Sequence, residues 1–351
     1  MPRGPIVDRL SALAATEPDI GTAEARADAT RLKDQLLPSD VVSRRAFLGL
    51  APLEPQTRTI SLKTYVAFVV GAWALSQSMD RRSINHKSSA ADDFSRGRAL
   101  ASRFANRYAA VKQGDSRQVW YAKELLYAGT GTCDRHAALN FVLIGAGLKH
   151  IYDEFPALRA HLPTVEMVSD PTAGERLGGP VHDAHVFVVV KGDGDPVLVD
   201  SWVPFPRLGL AGDGVCRASL SLYSFDVIRD PHTLPGDVLA QLDALAEAGS
   251  SEPPPQMLSD AHYADPSHWC TSNGQRLRGW QMVDALREDC ATVYTCGDLH
   301  FDPDHMCAEA LAMRKRWVQE ATHALTIGEQ SPIRGAPAFS PLRRNPVPDG
   351  N

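Results

Sequence analysis

His185-Val186-Phe187-Val188-Val189-Val190 and Pro196-Val197-Leu198-Val199-Asp200 flank the run Gly192-Asp193-Gly194-Asp195. The flanks are rich in β-branched residues and the Gly/Asp run between them is a strong turn signal, so the stretch predicts a β-hairpin. An even loop centred on Asp193 and Gly194 pairs Phe187 with Asp200 and His185 with Trp202. Side chains alternate along a strand, which makes His185 and Asp200 diagonal neighbours on one face. An odd loop or a bulge would set them on opposite faces.

Upstream, Gly129-Thr130-Gly131-Thr132 reads as a turn that runs into an apolar helical stretch from Ala137 to Leu148. Cys133 therefore falls at or near a helix N-terminus. The apolar run from Thr64 to Leu75 predicts a core helix, and a second spans Asp93 to Lys112 with Leu100, Phe104, Tyr108 and Val111 on one stripe. The basic residues opposite that stripe read as solvated surface. Further helical spacing covers Ala23 to Leu37, Asp237 to Glu247 and Met306 to Leu325, and Ala248 to Pro255 reads as a linker or surface loop. Helices set apart from an antiparallel hairpin make the fold class α+β. Residues 1–58, rich in Ala, Asp, Glu, Arg and Pro, read as a flexible leader and secretion region, 59–330 as one catalytic domain, and 331–351 as an irregular Pro-rich tail.

The 351 residues are 44% apolar and 22% charged with a formal charge of -6, a balance that argues for a folded protein and against an electrostatic grip on nucleic acid. The run from Tyr65 to Leu75 is about half of the roughly 20 residues a membrane-spanning helix needs, so no transmembrane segment is expected. Six cysteines at irregular spacing are too few for a disulfide scaffold. Ser43-Arg44-Arg45-Ala46-Phe47-Leu48 has the look of a twin-arginine export signal, but Pro52, Glu54 and Pro55 break the apolar segment that should follow.

A thiolate is the nucleophile in cysteine catalysis, and the unpaired N–H groups of a helix N-terminus favour it. A base must share the thiol proton and a third group must orient the base. Cys133, His185 and Asp200 fit these roles as nucleophile, base and orienting carboxylate. His182 is a rival base next to Pro180, ahead of the strand, and Asp183, Asp193 and Asp195 compete with Asp200. The latter two fall in the turn, where Asp serves the backbone. Gln118 and Trp120 are candidates for the oxyanion donor, with a surface amide and a core aromatic as the plainer readings. Cys290, Cys296, His300, His305 and Cys307 hold enough ligands for zinc but lack the close Cys-x-x-Cys pair, so no metal and no cofactor is assigned.

A Gly-x-Cys segment opening a helix, a His at the start of one strand and an Asp at the end of the next resemble the transglutaminase-like branch of the papain-type cysteine enzymes. More narrowly, Gly131-Thr132-Cys133-Asp134-Arg135-His136-Ala137-Ala138-Leu139-Asn140, behind a long leader, is similar to the HopX/XopE/AvrPphE effectors that plant-pathogenic bacteria inject into host cells. The resemblance covers residues 129–202. It implies a central helix carrying Cys133, packed on an antiparallel sheet carrying His185 and Asp200. It also implies a protease, deamidase or transglutaminase secreted into the host cytosol, acting on a host protein and open to a host activating factor. Pro2 stands where some of those effectors carry the Gly needed for myristoylation, and there is no room for the β-sandwich domains of the calcium-dependent transglutaminases, so neither a lipid anchor nor calcium is expected. The alternatives are a catalytically silent module that binds a host protein through the same fold, and an enzyme acting on a small-molecule amide.

Overall fold

The computed structural model describes residues 17–47, 52, 54–80, 84–85, 100–109, 115–170, 185–201, 207–211, 220–225, 234–252 and 292–312. In chain order the helices are α1 (Ala23–Leu36), α2 (Arg44–Phe47), α3 (Leu62–Asp80), α4 (Arg117–Ala128), α5 (Cys133–Glu154) and α6 (Val238–Ser251). The strands are β1 (Val41–Ser43), β2 (Gln56–Thr59), β3 (Ile84–Asn85), β4 (Thr130–Gly131), β5 (Thr164–Asp170), β6 (His185–Lys191), β7 (Val197–Asp200), β8 (Arg207–Leu210), β9 (Leu220–Phe225), β10 (Thr292–Cys296), β11 (Leu299–Phe301) and β12 (His305–Cys307). The architecture is α+β. His182, Asp183, Trp202, Cys290, the prolines after Glu252, the helical spacing beyond residue 312 and the tail lie outside the described residues.

The valine-rich run becomes the middle strand of a five-stranded antiparallel sheet in the order β8-β7-β6-β5-β9. Its pairs with β7 are Val188–Val199, Val189–Leu198 and Val190–Val197, the register that an even loop at Asp193 and Gly194 predicts. Alternation then sorts the sheet's two faces. Val165, Met167, Val188, Val190, Val197, Val199, Leu208 and Leu210 join the large core with α3 and α5. Val168, Phe187, Val189 and Leu198 form a separate apolar cluster on the other face.

α3 is buried nearly all round, as a helix with no polar stripe must be, and it packs on both α5 and the sheet. Leu100 and Phe104 are buried as the sequence predicts, in a satellite cluster with Trp120 and Tyr127.

Within the stretch read as a flexible leader, Ala23–Leu36 form α1. Ala25, Ala29 and Leu32 of α1 lie in the main core. The helix is held from the far end of the chain, Arg26 by Asp298 at 2.9 Å and Lys33 Nζ by the His300 carbonyl at 3.1 Å. β1 pairs with β12 and β2 runs parallel to β10, pairings too distant in sequence for local patterning to show. Arg44 and Arg45 are buried, at 6% and 7% exposure, with Asp304 beside both. Both are fixed in the fold. Residues 305–307 are a strand that completes the pair with β1, and the helical spacing expected from about Met306 is helix at 308–312.

Candidate active site

α5 starts at Cys133 because the four residues before it can do nothing else. Gly129 ends α4 in the left-handed region, at φ 70°, and returns its N–H to the Leu125 carbonyl. Gly131 is pressed so closely that a Cβ there would lie 2.4 Å from Leu125 Cδ1 and 3.1 Å from Arg135 Cβ. Thr132 is the extended N-cap, yet its hydroxyl is turned to Asp134 and makes no cap bond to the helix N–H groups. Cys133 is thus the first helical residue of a 22-residue helix, half-buried and in no disulfide.

The course of α5 sets where that thiol stands. Its C-terminus leads through a short 3₁₀ turn, Pro156–His161, into Thr164 of β5, which pairs with Lys191 beside the hairpin turn. At about 1.5 Å per residue α5 is roughly 33 Å long, against roughly 23 Å for the seven-residue β5. Its N-terminal turns therefore overshoot the sheet at the hairpin's open end, where β6 begins with His185 and β7 finishes with Asp200.

One contact pins that overlap. Asn140 Nδ2 donates to Ser201 Oγ at 3.0 Å, and the same oxygen lies 3.4 Å from His136 Nδ1. Ser201 follows Asp200 directly and is itself fully buried, as are His136 and Asn140 at 0% and 1% exposure. Cys133, His136 and Asn140 recur at i, i+3 and i+7, so they share one stripe of α5. That spacing is readable in the sequence, but His136 and Asn140 sit inside an apolar helical run that reads as plain core.

Asp200 is 5% exposed. Alternation assigns it to the face of Leu198, while Ser201 turns to α5. His185 opens β6 opposite Asp170 in the backbone register. Both predicted partners thus stand at one end of the hairpin, and the link from that end to the cysteine helix runs through Ser201.

Charges around the first turn of α5 are nearly balanced. Arg135 Nε donates to Glu124 at 3.1 Å, and its other guanidinium nitrogen reaches Thr132 at 3.0 Å and Asp134 at 3.4 Å. The guanidinium also lies over the Tyr121 ring, 4.9 Å from its centroid. Burial works against the Arg135 cation, but Glu124 and Asp134 outweigh it and raise its pKa. The guanidinium therefore stays charged beside the helix start.

Comparison with models of protein families, with curated proteins and with solved structures found no match.

The remaining candidates separate clearly. The last turns of α4, not the first, adjoin the start of α5, since Gly131 closes on Leu125 and Arg135 reaches Glu124. Gln118, in the first turn of α4, is at the wrong end of that helix for an oxyanion donor to Cys133, and it is buried rather than a surface amide. Trp120 is a core aromatic, 4.6 Å from Phe104. Asp193 and Asp195 hold the hairpin turn, Asp195 by a 3.2 Å contact from Arg58. Cys296 is buried, its thiol pushed up to about 11 by desolvation, with Arg26 pulling weakly the other way. Cys307 sits in a different small sheet, and no group of three or more His, Cys, Asp or Glu able to hold a metal forms among the described residues. No helix among them is long and apolar enough to cross a membrane.

Proposed function

We propose that the chain is a thiol acyl-transfer enzyme of the transglutaminase-like, papain-type kind, in which Cys133, His185 and Asp200 act as nucleophile, base and orienting carboxylate. The observation that carries this reading is that Cys133 opens α5 at the end of the hairpin where β6 starts with His185 and β7 ends with Asp200. A triad of these residues would have to close around the end of the sheet, since Asp200 lies on the Leu198 face and α5 packs on the other.

The Cys133 sulfur attacks a carboxamide or peptide carbonyl while His185 takes the thiol proton. The tetrahedral intermediate collapses to a thioester, and His185 returns the proton to the departing amine. Water then hydrolyses the thioester, or a second amine takes the acyl group, and Cys133 is regenerated. Ammonia leaving gives deamidation or transamidation, and a backbone amine leaving gives proteolysis. By its likeness to the HopX/XopE/AvrPphE effectors, the proposed setting is a host cytosol and the proposed substrate a host protein.

The test is mass-spectrometric comparison of plant-cell extract incubated with the wild-type chain, Cys133→Ala, His185→Ala or Asp200→Ala. Wild type is expected to produce new cleavage ends, Gln-to-Glu conversions or amine-linked glutamines that Cys133→Ala and His185→Ala do not, with Asp200→Ala strongly reduced. Four indistinguishable extracts would overturn the enzyme and leave a protein-binding module in its place.

A further inference from the structure

We infer that Ser201 is a positioning residue for Cys133, tying the strand end that carries Asp200 to the α5 stripe through Asn140 and His136; this rests on the reading of Cys133 as the nucleophile. Packing alone favours apolar side chains at i+3 and i+7 of a buried helix. Here both positions are polar, both are fully buried, and they meet a third fully buried polar residue from another element. The arrangement is also incomplete as a stabilising device. Asn140 Oδ1 is buried with no hydrogen-bond partner among the described residues, a cost that a core of Leu and Ala would not carry. Polar groups retained at such a cost are those whose role is geometric.

Asn140 Nδ2 donates to Ser201 Oγ, and the same oxygen lies 3.4 Å from His136 Nδ1, where the tautomer of the ring sets which of the two donates. Long helical side chains lean toward the helix N-terminus, which is the direction of Cys133 from His136. One serine oxygen thus fixes two points of the Cys133 stripe, and because Ser201 is bonded covalently to Asp200, it fixes the carboxylate's strand to the same helix. A shift there would be felt at the thiol, since displacements of about 1 Å in a catalytic constellation lower rates by up to about a hundredfold.

The full chain is to be alkylated with iodoacetamide, and the rate constants at Cys133 and Cys307 read by peptide mass mapping in the wild type, Ser201→Ala, His136→Asn and His136→Ala. Asn in place of His136 keeps an acceptor close to the Nδ1 position. Ser201→Ala is expected to slow Cys133 on the order of tenfold and leave Cys307 unchanged. His136→Asn should keep most of the wild-type rate and His136→Ala should fall with Ser201→Ala. General loosening of the fold would instead speed both cysteines, and that result overturns the inference. So does a Cys133 rate unchanged in Ser201→Ala while the wild-type thiol is fast. If Ser201→Ala does not fold, the His136 pair decides: equal rates in Asn and Ala overturn it. A wild-type Cys133 no faster than Cys307 overturns the nucleophile reading as well, which separates the two failures.

Discussion

Thr64 and Asp193 hold each other twice: the Thr64 hydroxyl donates to the Asp193 carbonyl at 3.1 Å and accepts from the Asp193 N–H at 3.1 Å. The first residues of α3 thereby clamp the turn of the hairpin whose open end carries His185 and Asp200. Gly192 lies so near that a Cβ would come within 2.3 Å of Thr64 Oγ1.

Replacing Thr64 by Val keeps the shape and removes both bonds. The Asp193 N–H and carbonyl then lose their partner in a part-buried site, and unfolding by urea is expected to show a loss of about 1–3 kcal/mol. Thr64→Ser keeps the hydroxyl and should lose well under half as much. A Val variant as stable as wild type beside a Ser variant that loses more would mean that the methyl contact, not the clamp, holds the turn.

The clamp shows what the sequence could and could not reveal. Turn residues and β-branched runs are local signals, so the hairpin and its register were legible down to the Val188–Val199 pair. The buried faces of α3 and α5 were legible for the same reason. The leader was misread because α1 is held by residues some 270 positions away, such as Asp298, and no local pattern reports a partner that remote. At the site, Cys133 was legible from the turn before it. His136 and Asn140 were in view at helical spacing, yet only the fold shows that Ser201 arrives opposite them.

Gly131→Ala tests the turn that delivers Cys133. The added methyl meets Leu125, which is fully buried, and Arg135 Cβ, so neither neighbour can simply move aside. Overpacking of this kind costs about 1–3 kcal/mol, to be read as a lower denaturation midpoint. Gly209→Ala, where a Cβ meets nothing within 4 Å, serves as the control and should stay near wild type.

Glu252, just past α6, accepts from the Tyr127 hydroxyl and from Arg107, and Arg103 lies at 3.3 Å. The Tyr127 bond first, then Arg107, holds its carboxyl below the ordinary 4.5, while the same contact and burial push Tyr127 up to about 12. A carboxylate with a lowered folded pKa adds stability that is fully present above the unfolded value and disappears as pH falls through the folded one. Glu252→Gln should therefore be less stable than wild type at pH 7, and the gap should close as pH is lowered below about 4.5. A gap that is constant from pH 7 to pH 3 in thermal melts would assign the effect to packing instead of charge.

Asp304 is the deepest tie between the two ends of the described chain. Its carboxylate accepts from Ser43 Oγ and from the Arg45 N–H at 3.3 Å, and it faces Arg44 Nε at 3.5 Å, while its carbonyl accepts from the Arg44 N–H at 2.7 Å. Arg44 and Asp304 are 8% and 18% exposed in their side chains, so solvent screens the pair little. Removing the carboxylate takes one charged partner from a buried guanidinium, which costs more than the intact pair contributes. Asp304→Ala should lower stability on the order of 3 kcal/mol, against a smaller loss for the double variant Asp304→Ala/Arg44→Met, in which the pair is removed as a whole. If the double variant loses as much as the sum of both single changes, Arg44 and Asp304 are not coupled and the Asp304 carboxylate acts through Ser43 and the Arg45 N–H.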